Sequence, residues 1–299
     1  MKLYAPRYYK NFKCIADKCE HSCCVGWEID IDGHTLERYK KLKSGYGRTV
    51  LDSVSYEGSP HFKLSAHDRC PHLDGRGLCK IILNLGEDYL CDICREHPRF
   101  YNYTSVLEVG LGMSCAEAAR LILSSPDYAE IEEIGKDNSE PDGTVFDGRE
   151  SRKEVYEILQ NREYSYCDRL DRIYREYAID VGEDGEWRKR LDTLEYLDLS
   201  HKNLFMNYSS KIRSKSKECE EYLERFLAYL VYRHCTEALD REDFCDRLSF
   251  CLFCERLLSS LICTEKSAEL CEVAILARII SEEIEYSEDN TLALTPYNI

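Results

Sequence analysis

The sequence lacks an apolar run long enough to cross a membrane. Its longest apolar segment, residues 248–263, is interrupted by Glu255 and Arg256 and is shorter than the roughly 20 residues that a spanning helix needs. The N-terminal stretch MKLYAPRYYK contains no apolar stretch of signal-peptide length. We therefore expect no membrane-spanning segment and no export, and the cytoplasm is the expected location.

The sequence also lacks an excess of positive charge. It has 56 acidic and 40 basic side chains, and its net charge is −16. Because phosphate binding requires a basic surface, this balance argues against a nucleic acid as a partner. A negatively charged protein instead attracts cationic groups such as an exposed lysine, although only weakly at physiological salt.

Cysteine, by contrast, is abundant, with 17 residues in the chain. Disulfides are rare in the cytoplasm, and an odd count fits a fully paired set poorly, so clustered thiols indicate a metal or iron–sulfur site. Soft thiolates on short loops converge on a metal without a long loop having to close. Three tight groups supply the candidate ligands, which are Cys14, Cys19, Cys23, Cys24, Cys70, Cys79, Cys91 and Cys94.

The spacing of these cysteines leaves the metal open. A structural zinc ion takes four nitrogen or sulfur ligands, and Cys91, Cys94 and His97 could supply three, with a cysteine of the second group as the fourth. A cubane iron–sulfur cluster takes four thiolates, and a Cys-Pro pair such as residues 70–71 is common beside them. Because eight thiolates exceed the need of one such site, either two sites exist or some of the cysteines serve packing or redox chemistry.

A second pair, Cys251 and Cys254, has the same two-residue gap but a different setting. It lies within an apolar helical pattern beside Leu252, Phe253 and Leu257. Because free cysteine packs as a small apolar side chain, this pair is predicted to belong to a helical core rather than to a metal site.

Composition divides the chain into parts. Residues 127–150 carry nine acidic and two basic side chains, with Pro141 and several glycines and little apolar content, which is typical of a solvated linker. We therefore predict a loop-rich, cysteine-ligated domain with short strands over 1–126, an acidic linker over 127–150, and an all-α domain over 151–299. The predicted fold class is mainly α.

Local patterns predict individual elements. Alternation over Trp27–Asp32 predicts a short strand, and a helix is predicted over Thr35–Leu42. Ser114 as N-cap and Glu117 form a capping box, which predicts a helix through Ala118, Ala119, Leu121 and Ile122. In the helical half, helices are predicted around Val155–Leu159, after a Ser165 cap, and near 187–198, 216–238, 241–262 and 267–285.

The stretch Val106–Ser114 resembles the first motif of Rossmann-like S-adenosylmethionine methyltransferases. It joins an apolar strand carrying Glu108 to a glycine-containing turn and then to a helix. A doubly wound sheet needs alternating strands and helices, but almost only helices are predicted downstream. We therefore interpret the turn mainly as a strand-to-helix connection.

Stretches around the cysteine groups carry a family resemblance. The first runs from Tyr9 to Trp27, the second is CPHLDGRGLC at residues 70–79, and the third is LGEDYLCDICREHPR at residues 85–99. They resemble the flagellin lysine-N-methylase family, and further matches follow at 110–123, 232–238 and 283–288. The resemblance implies an enzyme that transfers the methyl group of S-adenosylmethionine to lysines of flagellin, with a [4Fe-4S] cluster held by cysteines of the N-terminal half.

Such a reaction sets a requirement on the site. Lysine attacks a methyl donor only as the neutral amine, yet its ordinary pKa is about 10.4, so the site must desolvate the ammonium group or place a base beside it. Glu87, Asp88 and Tyr89 are the candidates for the base or amine orienter, and Arg95 and Arg99 for binding the carboxylate of the methyl donor.

Two alternatives remain open at this point. The charged residues between the cysteines could form salt bridges that brace the loop instead of acting in catalysis. The whole chain could also be a non-catalytic module, holding zinc or a cluster, that organises a helical protein-interaction domain.

Overall fold

A computed structural model describes residues 1–43, 45–141, 146–180, 182–210, 216–264 and 269–295. The fold is mainly α, as predicted. The α-helices are α1 (Gly33–Lys40), α2 (Tyr46–Asp52), α3 (Lys80–Leu85), α4 (Asp92–Glu96), α5 (Ala116–Ser124), α6 (Gly148–Gln160), α7 (Tyr166–Glu176), α8 (Asp184–Thr193), α9 (Leu199–Phe205), α10 (Lys217–His234), α11 (Arg241–Thr264), α12 (Leu270–Ile280) and α13 (Glu288–Leu294). The strands are β1 (Lys2–Pro6), β2 (Val54–Ser55), β3 (His61–Phe62), β4 (Arg99–Tyr103), β5 (Leu107–Leu111) and β6 (Ile131–Lys136).

The chain forms two compact units whose boundaries differ from the predicted ones. Lys13–Pro98 makes one, the cysteine unit, and Met1–Phe12 with Arg99–Ile299 makes the other, the helical unit. The predicted domain 1–126 therefore does not form one body. Its ends belong to the helical unit because β1 pairs with β5 and β6 in one sheet, so the polypeptide leaves this unit after residue 12 and returns at residue 99.

The predicted linker 127–150 is also corrected in part. It contains β6, which pairs antiparallel with β1, and the first residues of α6. An edge strand with one solvated face has few apolar residues, and this composition is what made the segment look like a linker. Residues 142–145 of the predicted linker lie outside the described residues.

The sheet of the helical unit has the strand order β4-β5-β1-β6. Its one parallel pair is β1 with β5, and the other pairings are antiparallel, so the Rossmann-like alternative is wrong.

Gly110 in β5 faces Phe100 in β4, and a Cβ on Gly110 would lie 2.3 Å from the Phe100 ring. The glycine is needed for packing against an aromatic ring. The amide of Met113 donates to the Tyr229 hydroxyl at 3.2 Å, so this N–H has a protein partner.

Most of the predicted helices of the C-terminal half are confirmed. They correspond to α6, α7, α8, α10, α11 and α12, and the Ser165 side chain caps α7 by accepting from the Asp168 amide. Residues 267 and 268 of the last predicted helix lie outside the described residues, and its C-terminal end is a π-helical turn at Ser281–Glu285.

Two local predictions are corrected. The helix predicted through residues 118–122 is confirmed as α5, but its N-cap is Cys115, one residue after the predicted cap, and the Ser114 hydroxyl is buried without a hydrogen-bond partner among the described residues. The segment Trp27–Asp32 is not a strand, since only Asp30 makes a single bridge, to His61. Its alternation instead places Ile29 and Ile31 in the core of the cysteine unit.

The core of the helical unit is built from the apolar faces of its long helices. Cys251 and Cys254 of α11 are fully buried in it, which confirms their predicted role in packing. The sulfur of Cys251 lies 3.8 Å from that of Cys235, so thiol contacts also occur in this apolar interior. Within the described ranges, no helix combines the length and the apolarity needed to cross a bilayer.

Candidate metal centre

The cysteine unit gathers thiols from all three sequence groups. The Cys24 carbonyl accepts a hydrogen bond from the Cys70 amide at 2.8 Å, which joins the first group to the second. Cys79 and Cys91 immediately precede α3 and α4, and Cys94 lies in the first turn of α4 with its sulfur 3.6 Å from that of Cys91. The short helices therefore fix the positions of these thiols.

The pKa shifts of these thiols reflect their burial and the presence of the other thiols nearby. Burial raises the pKa of Cys70 to about 12, and the negative charges that Cys24, Cys79 and Cys91 would carry raise it further. The pKa of Cys94 is raised by its hydrogen bond with Cys91 and by burial. The pKa of Cys79 is also raised by burial, whereas the hydrogen bond with Cys94 lowers the pKa of Cys91. A bound cation would stabilise the thiolates of all these residues.

The donor set fits a thiolate-held metal. In the described part of the chain the cysteines are free thiols, and Cys70 and Cys91 are buried in the core of this unit. His97 adds a further possible donor, because its Nε2 is buried and has no hydrogen-bond partner there. Burial, and next to it the charge of His21, lowers the pKa of His97 to about 4, so the imidazole is neutral and able to bind a metal.

The remaining predicted ligands are not part of the core of the cysteine unit. Cys14 is exposed, and the Cys19 thiol donates to the His21 carbonyl at 2.9 Å. Cys23 is hydrogen-bonded to Cys24, and this bond is the main reason why the pKa of Cys24 is lowered to about 7. Cys23 therefore contacts the five-thiol group through Cys24.

His72 lies beside Cys70 in sequence but has a structural role. Its Nδ1 is hydrogen-bonded to the Tyr46 hydroxyl and its Nε2 to the Ser53 hydroxyl, both at 2.8 Å. Burial lowers the pKa of His72 to about 4, so the neutral ring joins the second group to α2. With both nitrogens occupied, His72 offers no lone pair to a metal.

The predicted catalytic residues form a 3-10 turn at Glu87–Tyr89 between α3 and α4. Glu87 and Asp88 are exposed there. Tyr89 is fixed from two sides, since its carbonyl accepts from the Tyr39 hydroxyl at 2.6 Å and the Arg38 guanidinium lies 4.8 Å from the centre of its ring.

The predicted partners of the methyl donor are also engaged. Arg95 donates to Asp92 at 2.8 Å and to the Leu90 carbonyl at 2.6 Å, which corresponds to the loop-bracing alternative. Arg99 belongs to the helical unit and donates to the Tyr9 hydroxyl at 2.9 Å. The roles of these residues in catalysis stay predictions.

A buried ionic network in the helical unit was not predicted from the sequence. Glu285, at the end of the π-helical turn, accepts from the Tyr229 hydroxyl at 3.0 Å, lies 2.8 Å from Nε2 of His234, and lies 3.4 Å from Nε of Arg233. Burial raises the pKa of Glu285, but Arg233 and His234 outweigh it and the pKa falls to about 2. A possible signal was the resemblance at 232–238 and 283–288, which the fold brings together.

Comparison with known proteins identifies the family. The flagellar biosynthetic protein FliU of Salmonella muenchen is 30% identical over 136 residues, which cover 43% of this chain and 80% of that protein. This chain belongs to the flagellin lysine-N-methylase family. Members of the family named lysine-N-methylase, from Salmonella choleraesuis and Salmonella typhimurium, are also 30% identical over 136 residues. The match covers 34% of each of these two proteins, so the chain spans about a third of their length. No family model and no solved structure matches the chain.

The tightest set of potential metal ligands in the described chain is Asp32, His34 and Asp92, in the cysteine unit. Hydrogen bonding explains it without an ion. The Asp32 carboxylate accepts the amides of Thr35 and Asp92, both at 2.8 Å, and so caps α1 and α4 together. Asp92 in turn pairs with Arg95. The oxygens that would bind a metal are therefore already used to join two helices.

We expect Asp32→Ala to destabilise the cysteine unit by about 1–3 kcal/mol, because two helix N-termini lose their acceptor. His34 is largely exposed, so His34→Ala should change the stability by less than about 0.5 kcal/mol. Urea denaturation with and without Mg²⁺ or Mn²⁺ is the measurement. A cation-dependent rise in wild-type stability that both variants lose would contradict the capping role.

Proposed function

We propose that this chain is an S-adenosylmethionine-dependent protein lysine N-methyltransferase that acts on flagellin, and that its cysteine unit holds a [4Fe-4S] cluster. The printed names of its relatives, a flagellar biosynthetic protein and two lysine-N-methylases, support the substrate and the reaction. The observation that carries the cluster proposal is the convergence of thiols from three sequence groups in one small core.

Four of the five gathered thiols would hold the cluster, and the five are Cys24, Cys70, Cys79, Cys91 and Cys94. The sulfur positions bear on both metals, and the Cys91 and Cys94 sulfurs, 3.6 Å apart, are as close as two zinc ligands would be. With Zn–S bonds of about 2.3 Å in a tetrahedron, neighbouring sulfurs lie about 3.8 Å apart. Among the described residues, no three cysteine sulfurs lie within 4.8 Å of one another, and a cubane accommodates ligands that are farther apart.

When bound, such a cluster supplies positive charge that keeps the thiols ionised. With three cysteine ligands instead of four, one iron would stay open to the amino and carboxylate groups of the methyl donor. The protein must itself provide for the lysine. Glu87 and Asp88 are exposed, so a lysine held there would remain hydrated unless the bound substrate covers the turn. The predicted partner of the donor carboxylate is either Arg95, in the cysteine unit, or Arg99, in the helical unit. Either residue would exchange its present contact for that group.

The first test is anaerobic purification followed by a visible spectrum and by iron, sulfide and zinc analysis. We expect broad absorption with about four iron and four sulfide atoms per chain. Stoichiometric zinc without iron would contradict the cluster and favour the non-catalytic zinc-binding module.

The second test is methyl transfer. The purified protein is incubated with flagellin and S-adenosylmethionine labelled in its methyl group, and flagellin with acetylated lysines is the matched control. We expect label on untreated flagellin only. If an iron-loaded protein labels neither sample, the proposed activity is wrong whatever metal the cysteine unit holds.

A further inference from the structure

The helical unit contains a cleft of about 610 Å³ to which the proposed reaction assigns no role. The chain just after α7, the start of α8 and one side of α11 form its walls. Trp187 of α8 is buried in one wall and stacks on Phe253 with ring centres 3.9 Å apart, so its position is fixed by the core. The cleft is therefore a preformed feature of a rigid scaffold and is large enough for a side chain of a partner protein.

Two polar side chains of α11 line this cleft without a partner. Ser249 has only 8% of its surface exposed, and within the described ranges its hydroxyl makes no hydrogen bond. Asp246, one helical turn away, is half-buried, and in the same part of the chain no cation or N–H donor pairs with its carboxylate. Both oxygens remain accessible from the cleft and are not used by the described residues, so they can accept hydrogen bonds from a ligand with donors.

The charges in the cleft determine the sign of that ligand. Four carboxylates line it, against two guanidinium groups. Arg190 lies over the Trp187 ring at 5.0 Å, and Arg241 lies over the Tyr177 ring at 4.5 Å and pairs with Glu154, which is not part of the lining. The guanidinium groups therefore offset at most two of the four negative charges. The four carboxylates belong to Asp180, Glu186, Glu242 and Asp246.

The state of Asp246 agrees with an excess of negative charge. Burial raises the pKa of Asp246, and the neighbouring charges of Glu242, Asp243 and Asp240 raise it further. A cation beside the carboxylate would remove this penalty. A divalent metal ion is a poor candidate, because the described residues that converge tightly enough to ligate one lie in the cysteine unit.

We propose that this cleft binds the ammonium group of a lysine side chain of the protein substrate, with Asp246 and the Ser249 hydroxyl as acceptors. An ammonium group has three donors and no acceptor, which matches a carboxylate and a hydroxyl oxygen in a negatively charged cleft. The identity of the substrate rests on the proposed function, but the chemistry of the ligand rests on the cleft alone. The site is one for docking, since nothing in the described structure supplies a methyl donor there.

Binding is tested by titrating the protein with the peptide acetyl-Gly-Lys-Gly-amide and, as the matched control, with the same peptide carrying norleucine in place of lysine. The chain has two tryptophans, so the variant Trp27→Phe leaves Trp187 as the only tryptophan, whose emission is excited selectively at wavelengths that tyrosine does not absorb. We expect a saturable change in fluorescence with the lysine peptide and none with the norleucine peptide. Titration calorimetry on the unmodified protein should give the same dissociation constant.

Two substitutions locate the site. Asp246→Asn should weaken binding of the lysine peptide at least about tenfold, because a charge-assisted hydrogen bond is lost. Asp171→Asn, an equal change of charge at an exposed position of α7, should leave the affinity within about twofold. Thermal unfolding of both variants verifies that the fold is kept. Equal binding of the norleucine peptide, or unchanged affinity in a folded Asp246→Asn protein, overturns the proposal.

The peptide-binding test of the cleft and the methyl-transfer test of the proposed function can fail independently of each other. If wild-type protein labels flagellin and Asp246→Asn binds the lysine peptide as wild type does, the cleft assignment is wrong and the methylase proposal stands. If wild-type protein labels no flagellin but binds the lysine peptide in a manner that depends on Asp246, the cleft stands and the methylase proposal fails.

Discussion

Replacing Cys91 with serine is expected to reduce the bound iron from about four atoms per chain to fewer than about one and to unfold the cysteine unit. Cys91 is fully buried, lies directly before α4 and contacts Cys94. The cysteine unit has a small core and only short helices, so most of the free energy that keeps it folded would come from the bound cluster. Iron analysis and limited proteolysis of residues 13–98 are the measurements.

Other cysteines of the same chain provide matched controls. Cys254→Ser places a hydroxyl in the apolar core of the helical unit and should cost about 1–3 kcal/mol, but the iron content should stay at the wild-type value. Cys271 is exposed, and Cys271→Ser should change neither quantity. A Cys91→Ser protein that lacks iron but resists proteolysis like wild type would show that the metal does not organise this unit. Equal loss of iron in Cys254→Ser would show that the cluster lies elsewhere.

Removal of Glu285 should produce the largest loss of stability in the helical unit. Glu285→Ala leaves the Arg233 side chain, which is only 13% exposed, without its carboxylate and is expected to cost about 3–5 kcal/mol. The substitution also removes the acceptor of the Tyr229 hydroxyl, which receives the Met113 amide at the turn after β5. Helical circular dichroism during chemical denaturation measures the effect. Glu288→Ala, at an exposed position three residues away, should stay within about 0.5 kcal/mol of wild type.

Acid should remove the same stabilisation. Since the pKa of Glu285 is lowered from 4.5 to about 2, its contribution is fully present above pH 4.5 and is lost as the pH falls toward 2. This shift corresponds to about 3 kcal/mol. His234 acts in the same direction, because burial lowers its pKa and the unfolded chain takes up the proton first as the pH falls below 6.5. Glu285→Gln should therefore lose less stability than wild type between pH 7 and pH 3, and equal losses would contradict this assignment.

The helices of the C-terminal half were predictable because their signal is local. Apolar residues at spacings of three and four identify α10, and the Ser165 cap identifies the start of α7. The pairing of β1 with β5 and β6 was not predictable, because it joins residues more than a hundred positions apart and short strands carry little periodic signal. For the same reason the composition of residues 127–150 indicated a linker where β6 lies at the edge of a sheet.

Part of the candidate site followed from the sequence, and part did not. The three cysteine groups and their likeness to flagellin lysine-N-methylases were visible at once, because ligand residues on short loops keep fixed spacings. Which thiols become neighbours was decided by contacts such as that between Cys24 and Cys70, whose distance along the chain hides their proximity. Arg95 illustrates the limit, since its charge suggested a ligand for the methyl donor and its contacts brace α4.

The sequence by itself determined the family, the mainly helical fold and the set of sulfur atoms from which a metal centre can be built, because each of these depends on residue type and local spacing. Tertiary structure alone decided that residues 13–98 form a separate unit, that Glu285 meets Arg233 and His234 in the core, and that Asp246 and Ser249 line one cleft. Those features depend on which helix faces pack together, and the free energy of packing comes from contacts between residues that are distant in the chain.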